Sequence, residues 1–172
     1  YRKDNSIKYF GNVKNNLMNS IWNFYHPNNQ ISASGSYFNG DWSNPGSTGI
    51  PRNGRDGVWV FNDTLGNKFE EATYQKGFLN GSRKTFFRNG SLQSKSNFEV
   101  GKQTGESLAW WSNLKIKSKE YFVNGSKNGV SKYYSPDGMD STSVNWVDNI
   151  GTGKIIAYYN SDPKLKFSET IF

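Results

Sequence analysis

The side chains able to do chemistry are few, and their spacing argues against catalysis. His26 is the only histidine and there is no cysteine. That excludes thiolate zinc sites, cysteine nucleophiles and disulfides, and leaves a His-based metal site or a Ser/His/Asp triad resting on a single residue. His26 is followed by Pro27-Asn28-Asn29, a turn-forming run that makes it a surface histidine before a catalytic one. Glu70 and Glu71 are adjacent, so a strand sends them to opposite faces, where they cannot serve as paired general acid and base and read as solvated charge. The glycines sit in turn contexts and form no phosphate-cradling loop between a strand and a helix. We therefore read no catalytic residue, no metal site and no cofactor.

The residues suited to recognition are rings and cations. Trp110-Trp111 are neighbours, so in a regular strand one ring enters the core and the other faces solvent or a partner, unless local twist packs both within the protein. Trp42, Arg52 and Arg55 fall together in the polar stretch 41–56 and are of the types that dominate binding hot spots. The net charge is +7. It permits attraction to nucleic acid, anionic lipid or an acidic protein face. The basic residues are scattered in ones and twos, which suits a lysine-guarded sheet surface better than a dedicated polyanion patch, and no specific nucleic acid is expected.

The elements that must position these groups follow from an internal period. Gly57, Gly81, Gly105, Gly129 and Gly153 are spaced by 24 residues. Seventeen positions after each of the first four stands a ring: Tyr74, Phe98, Phe122 and Trp146. Three residues further come Gly77, Gly101, Gly125 and then Asn149, the residue that most readily replaces glycine where the backbone needs a positive φ. Aromatic pairs or near-pairs lead the units: Trp59 and Phe61, Phe86-Phe87, Trp110-Trp111, Tyr133-Tyr134, Tyr158-Tyr159. An earlier unit opens at Ser20, with Trp22, Phe24, Tyr25, Tyr37 and Gly40 in the corresponding places. The step from Gly40 to Gly57 is too long for the period, which places an insertion within Asp41–Asp56.

Each unit reads as strand, turn, strand, turn. In Leu92–Glu99 the alternation puts Leu92, Ser94, Ser96 and Phe98 on one face, taken as buried, with small residues such as Ala72 and Val144 beside the ring column. Arg88-Asn89-Gly90-Ser91 is read as a tight hairpin turn with positive φ at both Asn89 and Gly90. Aromatic content of 16% argues for a folded chain, and no segment has helical periodicity. The fold expected is all-β, an elongated antiparallel sheet of stacked hairpins forming a single repeat domain over 1–172. Its parts are a truncated first hairpin at 1–19, a first repeat at 20–40, an inserted loop at 41–56, repeats at 57–80, 81–104, 105–128 and 129–152, and a capping repeat at 153–172. Asn80, Asn89 and Asn124 open Asn-Gly-Ser triplets, which are turn chemistry first and glycan acceptors only in an exported setting. The start at Tyr1 favours an exported or cell-envelope setting over a cytoplasmic one, and no stretch approaches the ~18 apolar residues of a membrane span.

The segments Gly57-Val58-Trp59, Phe86-Phe87-Arg88-Asn89-Gly90-Ser91-Leu92, Phe122-Val123-Asn124-Gly125 and Tyr133-Tyr134-Ser135-Pro136-Asp137-Gly138 resemble the bacterial variant of the MORN repeat. Its units look like G-x-W-x-x-Y-Y-x-x-G-x-L followed by an aromatic and N-G. The likeness runs from Ser20 to about Tyr159. Departures at Ser20, Leu114 and Asn149, where the pattern has glycine, predict irregular hairpins there. The resemblance implies an extended sheet used for protein interaction, antitoxin-like (YwqK-type) in some members and linked to membranes or lipid in others. The expected function is a non-catalytic scaffold with a protein partner, acting as an accessory subunit of a larger assembly. Its binding residues would be Trp42, Arg52, Arg55, Trp110 and Trp111. The alternatives are a module for an anionic membrane surface or glycan, and a protein that neutralises a toxin.

Overall fold

Short alternating segments closed by turn residues at both ends pair with their sequence neighbours, and the computed structural model has that form. It describes residues 6–45, 48–159 and 162–171, with those from 153 onward as backbone. The side chains of the expected 153–172 cap, Tyr158 and Tyr159 among them, lie outside the described residues. The contacts of the chain gather into two units, 1–90 and 91–172. Among the described residues there is no helix.

In the first unit β1 (Tyr9–Lys14), β2 (Leu17–Tyr25), β3 (Ile31–Gly40), β4 (Arg55–Asn62), β5 (Lys68–Gln75) and β6 (Phe78–Phe86) pair antiparallel in chain order. In the second, β7 (Leu92–Glu99), β8 (Lys102–Trp110) and β9 (Ile116–Val123) do the same. The two-residue β10 (Ser126–Lys127) pairs with β9, which also pairs with β11 (Gly129–Tyr134), followed by β12 (Asp140–Val147), β13 (Ile150–Tyr159) and β14 (Asp162–Ile171). The expected truncated first hairpin is β1, turned into β2 at Asn15-Asn16. The insertion ends two residues before its expected boundary, because Arg55 and Asp56 already belong to β4.

Two turn types alternate. One is a two-residue turn with both residues left-handed: Asn15-Asn16, Lys76-Gly77, Asn124-Gly125 and Asp148-Asn149 all have positive φ, the geometry whose twist matches the flanking strands. The other is a three-residue loop. Asp63 N–H donates to the Asn67 carbonyl and the Asp63 carbonyl accepts from Gly66 N–H, and His26, Trp111 and Ser135 open equivalent loops. The Asn89-Gly90 turn is of this second kind: Gly90 donates to the Phe87 carbonyl at 2.9 Å, and Gly90 but not Asn89 is left-handed. The expected pair of positive φ angles is thus corrected to one, since a type I turn closed by a single left-handed residue needs no more. Where glycine is missing the backbone still takes the glycine conformation, although the β2–β3 register does shift between Met18 and Ser20, as expected at that departure. Ser20 (φ 62°), Leu114 (φ 69°) and Asn149 (φ 68°) adopt the left-handed conformation of the glycines they replace.

The register explains the ring column. Tyr74 stands opposite Gly57, Phe122 opposite Gly105 and Trp146 opposite Gly129, so each ring faces a position without a Cβ. In the first unit the buried residues are mainly rings: Trp22, Phe24, Tyr37, Trp59 and Phe61 with Met18, Ala33 and Ile50, and Tyr74 packed against them. Two more glycines make this possible. A Cβ on Gly11 would lie 2.1 Å from the Trp22 indole, and one on Gly35 would lie 2.3 Å from that of Trp59. Each indole lies flat on the preceding strand and donates from Nε1 to the next carbonyl along it, Trp22 to Asn12 at 3.1 Å and Trp59 to Ser36 at 3.0 Å. In the second unit the corresponding face buries small residues, Ser96, Ser118, Ser131 and Val144, while Phe98, Phe122 and Trp146 are half-buried.

Leu114 carries the conformational strain of a left-handed residue on a side chain that is 64% exposed. Leu114→Gly is expected to stabilise the chain by about 1 kcal/mol and raise Tm by ~2–4 °C in scanning calorimetry; a lower Tm would mean the leucine side chain contributes more than its backbone costs.

Candidate functional site

The insertion between β3 and β4 does not hang free. At its base the Asp41 carboxylate accepts from the backbone N–H and the hydroxyl of Ser43, Asn53 Nδ2 donates to Ser43 Oγ at 2.5 Å, and Arg52 N–H donates to the Asn44 carbonyl at 3.2 Å. The Ser43 contacts hold the Asp41 carboxyl below the usual carboxylate range. Beyond the base, Ile50-Pro51 is an apolar dyad in a polar loop, and both residues are buried on the ring face of the sheet.

Two side chains from the strands pin that dyad. Tyr37 Oη donates to the Pro51 carbonyl at 2.6 Å, and Arg55 donates from Nε to the same carbonyl at 2.9 Å and from a terminal nitrogen to the Ile50 carbonyl at 3.0 Å. The other terminal nitrogen meets Tyr74 Oη at 3.2 Å. Among the described residues the guanidinium has no carboxylate partner. Carbonyl oxygens and the faces of Trp59, Phe61 and Tyr74, at 4.7, 5.2 and 5.2 Å from Cζ, take that place. Burial pushes the Tyr37 hydroxyl up to about 12, against the opposing pull of Arg55.

The docked insertion leaves a cleft of about 500 Å³ between itself and the sheet, walled by Tyr9, Phe24, Trp42, Phe61, Phe69 and Ile50, with Lys8, His26 and Asn62 also lining it. Trp42 packs at 4.8 Å from Tyr9 and edge-on at 5.5 Å to Trp22, and stays 48% exposed. His26 Nε2–H donates to the Asn62 carbonyl at 2.9 Å, which fixes the ring and removes that nitrogen from acid–base work. Asn62 Nδ2 donates to the Ile31 carbonyl at 3.2 Å, and Thr48 Oγ1 accepts from Ile50 N–H at 3.3 Å. Among the described residues no carboxylate lines the cleft. Its chemistry is burial of apolar surface beside one cation.

The five residues singled out in the sequence are thus placed differently from one another. Trp42 is in the cleft wall and Arg52 is exposed on the insertion. Arg55 is 3% exposed; it sits inside, as the strut beneath the insertion, because the dyad's carbonyls and the rings solvate its charge in place of water. Trp110 and Trp111 are half-buried in the second unit. Trp111 Nε1 donates to the Tyr134 carbonyl at 3.0 Å with Lys117 Nζ 4.5 Å from its ring, the same loop-to-loop bond that His26 makes. Glu70 and Glu71 face opposite sides as expected, but each is ion-paired, to Arg83 at 2.6 Å and to Lys68 and Lys84 at 3.0 Å. The sequence reading missed the other cleft walls, Tyr9, Phe24, Phe61 and Phe69. Ile50-Pro51 was the available signal that the insertion folds back. Among the described residues no group of three or more His, Cys, Asp or Glu could hold a metal ion.

Residues 79–99 match the family model described as MORN repeat variant. That segment covers nearly all of β6 and the whole of β7. No curated protein matches the chain. Among solved structures, "Crystal structure of GtfA/B complex bound to UDP and GlcNAc" is similar at 18% identity and a TM-score of 0.30, over 70% of this chain and 23% of that one. This chain therefore spans under a quarter of that chain's length.

Arg55→Ala leaves two buried carbonyls short of donors and should cost about 3 kcal/mol or more in urea unfolding, whereas Arg52→Ala should cost less than about 0.5 kcal/mol. Equal costs would contradict the strut assignment. For Tyr37, the folded-state pKa lies above the unfolded value of about 10, so its contribution is intact below pH ~10 and lost as pH rises through about 12. The loss is on the order of 2 kcal/mol. Tyr37→Phe should remove that share of the alkaline destabilisation, measured as the difference in urea midpoint between pH 9 and pH 12; an unchanged difference would contradict it.

Proposed function

We propose that this chain, in which residues 79–99 match the MORN repeat variant, is a non-catalytic repeat scaffold that binds a protein partner as part of a larger assembly. The observation that carries the reading is the cleft beneath the docked insertion. It offers half-exposed Trp42, Tyr9 and Phe69 on a support that Arg55 and Tyr37 hold in place. Rings presented on a fixed support bind with little ordering cost, and Trp and Tyr are the residue types that most often anchor protein interfaces. Catalysis has less to work with: His26 is committed to a backbone carbonyl, and the paired glutamates are committed to lysines and an arginine.

An antitoxin-like role is a narrower version of the same reading, in which the partner is a toxin, and it rests on the family resemblance alone. A second reading, an anionic membrane or glycan surface, is favoured by the half-buried Trp111 with Lys117 over its ring. In the scaffold reading Arg52 and Trp42 contribute contacts, while Arg55 contributes the platform.

Photo-crosslinking in native cells with the reactive group at Thr48, exposed on the cleft lining, followed by mass spectrometry, tests this reading. The double change Trp42→Ala with Arg52→Ala should reduce crosslinking to a specific protein by at least about tenfold while lowering stability by no more than ~1.5 kcal/mol. Undiminished crosslinking, or salt-sensitive sedimentation with anionic vesicles in the absence of any protein, would oppose it.

A further inference from the structure

The cleft has a chemistry more specific than "apolar", and it narrows what the scaffold would hold. We infer that it takes a segment of a partner protein that presents a bulky apolar side chain flanked by carboxylates. The inference rests on the protein-binding reading above and goes beyond it by naming the ligand class.

Three observations on the cleft point the same way. The first is its walls: at about 500 Å³, bounded by rings, it is of a size that accepts one or two large side chains. The second concerns polar groups. His26 Nε2, Asn62 Nδ2 and Thr48 Oγ1 are already engaged with backbone groups of this chain. A sugar entering the cleft would give up water at many hydroxyls and find few replacements, and burying unmatched hydroxyls is costly. An apolar side chain incurs no such cost.

The third is charge. Among the described residues the lining contains no Asp or Glu, and Lys8, exposed on it, has no ion-pair partner. Elsewhere in the chain lysines such as Lys68, Lys84, Lys119 and Lys127 are paired with glutamates. Lys8 therefore sets a positive charge, without an ion-pair partner among the described residues, where this ring-lined opening meets solvent, in a chain of net charge +7. A carboxylate beside the anchor would complement it, and a lysine or arginine there would be repelled.

Fluorescence anisotropy with labelled, end-capped hexapeptides tests the inference. The set is Gly-Asp-Asp-X-Asp-Gly with X as Trp, Phe, Leu or Ala, and the same four with Lys in place of Asp. At least one acidic peptide with a large X should bind below about 1 mM, its Ala counterpart at least tenfold more weakly, and its Lys counterpart at least tenfold more weakly at low salt. Lys8→Glu, at an exposed site, should leave Tm unchanged and reverse the Asp-over-Lys preference. Phe69→Ser should weaken every large-X peptide by about tenfold.

Equal binding of Asp and Lys peptides, no change on Lys8→Glu, or no acidic peptide binding at that concentration would each overturn the inference. So would Phe69-dependent binding of chitotetraose or of phosphatidylglycerol vesicles in the absence of peptide binding. If the peptides fail while crosslinking to a protein still depends on Trp42 and Arg52, this inference falls and the scaffold reading stands. If crosslinking does not depend on them, the scaffold reading falls with it.

Discussion

An indole ring lying flat on a glycine of the neighbouring strand is the contact on which the first unit depends. A sheet that is one layer thick has no opposing sheet or helix to cover its apolar face, so its rings must be buried against its own backbone. Trp22 on Gly11 and Trp59 on Gly35 do this, each with its Nε1–H bonded to a carbonyl of the strand it covers. The ring loses water on one side to the backbone and on its edges to Phe24, Tyr37 and Phe61. A methyl group at either glycine would occupy the volume of the indole itself. This explains why the chain carries rings in place of aliphatic bulk: a long planar side chain can lie along a sheet, and a leucine cannot.

The insertion completes that arrangement by covering part of the ring face that the strands leave open. Its apolar dyad is held by hydrogen bonds to two carbonyls from Tyr37 and Arg55, and the positive charge beneath it is held by ring faces and carbonyl dipoles. Covering part of the face leaves the rest as a cleft. The cleft is thus a by-product of how the sheet is stabilised. The same rings serve as core on their inner side and as wall on their outer side. In the second unit the pattern is milder, with buried serines and a valine beneath half-buried rings, and Glu120 bonded to both Tyr133 Oη and the Lys127 ammonium.

Much of this fold was legible in the sequence because a 24-residue period multiplies weak signals. The separation of 17 between each repeat glycine and the next ring is the cross-strand register itself, with Tyr74 opposite Gly57 and Trp146 opposite Gly129. What periodicity could not convey was conformation at positions that break the pattern. Ser20, Leu114 and Asn149 look like defects on paper, yet all three adopt the left-handed region at a local cost. The site was less legible, because an insertion has no second copy to compare. Arg55 illustrates the difficulty: by type and neighbourhood it reads as an exposed contact, and only the meeting of Pro51, Trp59 and Tyr74 around it makes it a buried strut. Residues as far apart in sequence as Tyr9 and Phe69 enter the cleft only because every strand between them is paired in order.

The central claim is that the insertion is docked on the ring face and not a loose connection. Amide and indole hydrogen exchange measures this directly. If the claim holds, the amides of Arg52 and Arg55 and the Trp59 indole N–H exchange slowly, at rates comparable to those of β2 to β4, and Arg55→Met releases the Arg52 amide while β2 and β3 stay protected. Rapid exchange of the Arg52 amide in the unaltered protein, with the strands protected, would contradict the account.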